Sequence, residues 1–134
     1  MFKYNMDYKR RDELIFGDAC QPEEKWGGGI KRFSVSPSVL KQLIEERFVD
    51  PQDAQNASPM SQKYVEFFDN VANPDDWKVH GYAVAHDRED YRTTIEGCEA
   101  DCQLSPEDIA AFANLFRFAD GFELTATTAY CWFD

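Results

Sequence analysis

The chain lacks the features that mark membrane, secreted and nucleic-acid-binding proteins. No apolar run approaches the roughly 20 residues of a membrane-spanning helix. The stretch MFKYNMDYKRRDE has no continuous apolar segment after its charges, so it does not read as a signal peptide. Both absences lead us to expect a cytoplasmic protein. Histidine is confined to His80 and His86, and the four cysteines are Cys20, Cys98, Cys102 and Cys131. Without a secretion signal, these are expected as free thiols rather than disulfides. Basic residues are scarce: 14 Lys and Arg stand against 25 Asp and Glu, a net charge of −11. Residues 1–41 carry +2 and the remainder −13. Non-specific nucleic-acid binding is therefore disfavoured, because it depends on Lys and Arg displacing counterions from phosphates.

With 134 residues, the chain is expected to form a single domain able to bury a core without staples. The aromatic share of 15%, with eleven Phe, predicts a core rich in rings. The segment WKVHGYAVAHDREDYRTTIEG, Trp77 to Gly97, reads as a β-hairpin. A turn at Asp87–Asp90 would place His86 opposite Tyr91, Val84 opposite Thr93 and Tyr82 opposite Ile95. The larger side chains, His80, Tyr82, Val84, His86, Tyr91, Thr93 and Ile95, then share one face, expected to be the core face. Gly81, Ala83 and Ala85 would make the other face smooth enough for close approach by another element.

Three Ser-Pro pairs, Ser36-Pro37, Ser58-Pro59 and Ser105-Pro106, predict helix starts, since Ser caps free amides and Pro is tolerated in the first turn. Apolar spacing predicts helices over 37–48, 59–72 and 106–119, with Gly121 ending the last. The tail 122–133 alternates as a strand, and its apolar end offers an edge for a homodimer. Segments 13–16 and 30–35 are further strand candidates, and 50–55 a short helical turn. The expected fold class is α+β: a small antiparallel β-sheet with three helices packed mainly on one face.

Chemical signals are sparse. The run Gly27–Gly29 lacks a following Gly-Lys-Ser/Thr and meets neither phosphate-binding fingerprint. His80 and His86 lie roughly 20 Å apart on an extended strand, too far to share a metal. Cys98 and Cys102 form a C-x₃-C spacing with no second close pair, a poor match to zinc patterns, and pairing Cys98 with His80 as a nucleophile depends on the assumed turn. No catalytic, metal or cofactor residue is assigned. The candidates for a pocket are His80, Tyr82, His86, Tyr91 and Trp132. The expected function is that of a small acidic, non-enzymatic interaction protein meeting a basic partner surface. An enzyme or ligand-binding domain with a pocket near His80, Tyr82, Tyr91 and Trp132 is the alternative. A winged-helix-like regulator with 59–72 as its recognition helix is the third reading.

Overall fold

The computed structural model describes residues 1–19 and 21–134. The expected free thiol at Cys20 lies outside these residues. The fold is α+β, with a five-stranded antiparallel sheet ordered β1-β2-β3-β5-β4. The strands are β1 (Ile30–Val35), β2 (Trp77–Val84), β3 (Thr93–Ala100), β4 (Gly121–Leu124) and β5 (Ala129–Trp132).

Among the described residues, four α-helices accompany the sheet, one more than expected: α1 (Tyr8–Phe16), α2 (Pro37–Glu45), α3 (Ser61–Asn70) and α4 (Pro106–Phe116). The additional helix, α1, takes in the segment 13–16 read as a strand. The Asp7 side chain caps it by accepting from the Arg10 amide, and Gly17, at φ 70°, ends it. Its buried residues are Arg11, Asp12 and Ile15, so no apolar stripe announced it.

The Ser-Pro rule holds at two starts. Ser36 accepts from the Val39 amide and Ser105 from the Asp108 amide, with Pro in the first turn of each helix. It fails at the third, where α3 begins at Ser61 without a side-chain cap. The Ser58 hydroxyl instead donates to the Pro59 carbonyl and meets the Tyr64 hydroxyl at 2.7 Å, while the Ser61 and Gln62 amides donate to the Asp53 and Pro51 carbonyls. Helix α2 ends at Glu45, earlier than expected, because Arg47 turns the chain at φ 66° and sends Phe48 and Val49 into the core. Segment 50–55 forms turns rather than a helix. Gly121 opens β4 instead of ending α4, whose C-cap is Arg117.

The hairpin exists, but its faces divide differently from those expected: Ala83 and Ala85 turn to the main core, Ile95 joins it as expected, and Tyr82 and Val84 are buried outside it. Beyond His80, the register is the predicted one: His80 faces Gly97 and Val79 faces Cys98. A bulge between His80 and Gly81 then shifts the pairing, so Ile95 faces Gly81 and Thr94 faces Tyr82. Trp77, Val79, Ala83, Ala85, Ile95 and Cys98 join the main core, together with Phe33 and Val35. Gly81 shows why the smooth face turned inward. A β-carbon there would lie 2.6 Å from Phe33 Cζ, so the ring of β1 occupies the place a side chain would take. Phe67, Phe112 and Phe116 complete this side, with ring centroids 4.9–6.1 Å apart.

Tyr82, Val84 and Tyr91 are buried, yet they lie outside that core cluster. The Tyr82 hydroxyl donates to Gln55, and Tyr91 donates to the Asn5 carbonyl. The turn is also longer than Asp87–Asp90, and the His86 amide bonds Glu23 rather than a strand partner.

The tail divides at residues 125–128 into β4 and β5, where the Thr125 amide donates to the Thr128 carbonyl. Strand β5 is flanked by β3 and β4, so the edge expected on the last strand belongs to β4. No helix among the described residues is long and apolar enough to cross a membrane.

Candidate functional site

Two polar constellations stand out, one on the sheet face opposite the main core and one at the hairpin end. The first follows from strand register. Ser34, His80, Gly97, Trp132 and Gly121 are successive cross-strand partners, forming one row over all five strands. Glu99 and Tyr130 pair in the adjacent row. Gly97 has no side chain, and the row dips there between the His80 imidazole and the Trp132 indole. A β-carbon at Gly97 would collide with the Cys131 carbonyl oxygen, so the dip is required by the close approach of β5. The result is a concavity of about 530 Å³ lined by Arg32, Phe33, Ser34, His80, Glu96, Glu99, Tyr130 and Trp132.

Within it, the Ser34 hydroxyl lies 2.6 Å from His80 Nδ1, and Glu99 Oε1 lies 3.1 Å from His80 Nε2. Arg32 Nε donates to Glu96 Oε1 at 3.1 Å, joining an exposed guanidinium to a buried carboxylate. Glu96 owes its position to the bulge, which places it between the residues facing Gly81 and His80. The Tyr130 ring stands 6.5 Å from that of His80. The site thus offers two aromatic rings, two carboxylates and one histidine held from both ring nitrogens.

The second constellation surrounds Arg11, which is fully buried. Its Nε bonds Asp12 at 2.9 Å, its Nη2 bonds Glu23 at 2.6 Å, and its Nη1 donates to the Val84 carbonyl at 2.8 Å. The guanidinium also lies 4.8 Å from the Tyr91 ring centroid and 5.9 Å from that of Trp26. Glu23 continues the chain to His86, accepting from its amide at 2.7 Å and meeting Nδ1 at 2.6 Å, while the imidazole stacks on Tyr8 at 3.8 Å.

Burial pushes the Asp12 carboxyl up to about 7 despite the opposing Arg11 charge, and a hydrogen bond with Glu23 favours the protonated form. Burial would raise Glu23 too, but the His86 amide and imidazole, with Asp12 and Arg11, hold it below the ordinary carboxylate range. The two carboxyls thus shift in opposite directions, Asp12 up and Glu23 down. A cavity of about 420 Å³ opens beside them, with His86 and Tyr8 in its wall.

Of the five pocket candidates, His80 and Trp132 come together on the open sheet face, and His86 lies apart in the Glu23 network. Tyr82 and Tyr91 line neither cavity. Burial and neighbouring charge, Asp12 and Glu23 among them, drive the Tyr91 phenol up to about 12, so it stays protonated at neutral pH. Sequence reasoning did not connect Ser34, Glu96 and Glu99 with His80, because that relation depends on the β1 register and on the bulge. It missed the Arg11 network because a buried Arg has no periodic signature. Cys98 faces Cys131 across β3 and β5 rather than meeting Cys102. Among the described residues, no three His, Cys, Asp or Glu side chains are grouped to hold a metal ion. Compared with known protein families, with curated proteins and with solved structures, this chain yields no match.

Proposed function

We propose that this is a non-enzymatic interaction protein whose open sheet face receives basic side chains of a protein partner. The observation that carries the reading is the dip over Gly97, where the Tyr130 and Trp132 rings lie beside the carboxylates of Glu96 and Glu99. A Lys or Arg side chain entering there would meet the ring faces and the Glu99 carboxylate, Glu96 being already paired with Arg32. The surrounding charge works in the same direction. Asp75, Asp76, Asp101, Glu107, Asp120 and Glu123 are exposed and, among the described residues, have no cationic partner within ion-pair distance. Such a surface speeds encounter with a basic partner and repels an acidic one. A cytoplasmic setting accords with this proposal and with reduced thiols at Cys98, Cys102 and Cys131.

Titration with an arginine-rich peptide tests the reading through tryptophan fluorescence. Trp26 and Trp77 are buried and Trp132 is half-buried, so a response at this face reports mainly on Trp132. Binding should weaken steeply with salt and fall about tenfold in Glu99→Gln. Salt-independent binding, or binding unaffected by both Glu99→Gln and Trp132→Ala, would reject the proposal.

The enzyme reading draws on the chain from Ser34 through His80 to Glu99, which orders a hydroxyl, a base and a carboxylate. A polar sheet face also forms such cross-strand ladders without catalysis. Hydrolysis of a nitrophenyl ester that disappears in Ser34→Ala would favour the enzyme. The winged-helix reading has less support, since exposed α3 residues include Lys63 beside Glu66 and Asp69, a poor match for phosphates.

A further inference from the structure

Cys98 and Cys131 are direct cross-strand partners, both fully buried, with their sulfurs 3.7 Å apart. Directly opposed residues of an antiparallel pair have Cα atoms roughly 4.5–5.5 Å apart, inside the roughly 4.4–6.8 Å range that a disulfide accepts. Both side chains already project to the core side, so bond formation requires side-chain adjustment and leaves the strand register intact. Cys102, by contrast, is only partly buried and lies beyond the end of β3.

We propose that Cys98 and Cys131 are a modification site, a thiol pair that a hydroperoxide oxidises reversibly to a disulfide. One thiolate attacks a peroxide oxygen, forming a sulfenic acid and releasing water after protonation. The second sulfur then attacks the sulfenic sulfur and expels a further water. Two thiols and one hydrogen peroxide thus give one disulfide and two waters, with two electrons passing from sulfur to oxygen. Burial pushes the Cys98 thiol well up, so the closed sheet keeps little thiolate and reacts slowly. Oxidation proceeds through transient loosening of β5 and is trapped when the strand redocks. The product staples β5 to β3 on the core side of Gly97 and Trp132, fixing the floor of the open-face concavity from behind.

The test uses the full chain, folded and treated with hydrogen peroxide, then alkylated under denaturing conditions and digested without reductant. The expected result is a cross-linked peptide pair joining Cys98 to Cys131, a mass loss of about 2 Da, and reversal by dithiothreitol. Closing this loop should raise Tm on the order of 10 °C. Cys102→Ser should keep both the link and the Tm gain, and Cys131→Ser should lose both. Full alkylation of Cys98 and Cys131 after peroxide would overturn the proposal, as would a link through Cys102 or Cys20, or a Cys98–Cys131 link that leaves Tm unchanged.

Discussion

Replacing Asp12 by Asn removes the charge of that carboxyl while keeping its shape and its hydrogen bonds. In the native protein, Asp12 accepts from Arg11, and burial raises its pKa from 3.8 to about 7. A raised carboxyl pKa means that, between about pH 4 and pH 7, the folded state binds more protons than the unfolded chain. Its stabilising contribution is complete below the unfolded value and is lost as pH rises through the folded one. A rise of that size corresponds to about 4 kcal/mol at most. Coupling to Glu23 divides that figure, and an effect of about 2 kcal/mol is the working expectation.

The amide that replaces the carboxyl cannot ionise, so the stability of Asp12→Asn relative to the native protein should grow by about 2 kcal/mol from pH 5 to pH 8. Glu23 acts in the opposite sense and lower on the scale. Its depressed pKa supplies stability that is lost as pH falls through its folded value, below the window from pH 5 to pH 8. Urea unfolding of the two proteins at each pH, followed by circular dichroism, gives the difference directly. Parallel stability curves would refute the argument, because they would mean that Arg11 keeps Asp12 ionised throughout.

Four other predictions follow from the packing. Glu23→Gln leaves the buried Arg11 guanidinium short of a counter-charge and should cost about 3–5 kcal/mol in chemical unfolding. Gly97→Ala drives a methyl group into the Cys131 carbonyl and should cost about 2–4 kcal/mol, with faster amide exchange along β5. Thr93→Val removes a buried hydroxyl that has no hydrogen-bond partner among the described residues, so thermal unfolding should show a neutral or stabilising change of up to about 1 kcal/mol. Ser105→Ala should cost about 1 kcal/mol through its lost cap, whereas an equal loss in Ser58→Ala comes from its bonds to the Tyr64 hydroxyl and the Pro59 carbonyl; a double cycle with Tyr64→Phe isolates the first of these.

Local physics made part of this fold legible. Ser36 and Ser105 announced their helices because caps act within a few residues, and the hairpin was legible from alternation about a charged turn. The inward face of the hairpin was illegible, because size argued for Tyr82 and Val84. The decisive fact was a ring on another strand, Phe33, filling the space above Gly81. Helix α1 was missed because it buries Arg11 and Asp12, and the Arg11 partners Val84 and Glu23 lie on other segments. The same holds for the open face: His80 and Trp132 were singled out, but only register shows that Gly97 separates them, and only the bulge brings Glu96 alongside Arg32.

Strand β4 reaches the sheet only through β5, since no other strand among the described residues pairs with it. The two should therefore open and close as one cooperative unit in hydrogen exchange, with amides of 121–124 no better protected than those of 129–132. A fluctuation that frees this unit would bare the edge of β3 and lift the Trp132 indole away from the carboxylates beside it. Occupancy of the sheet face and protection of a strand distant in contact from any ligand would then rise together.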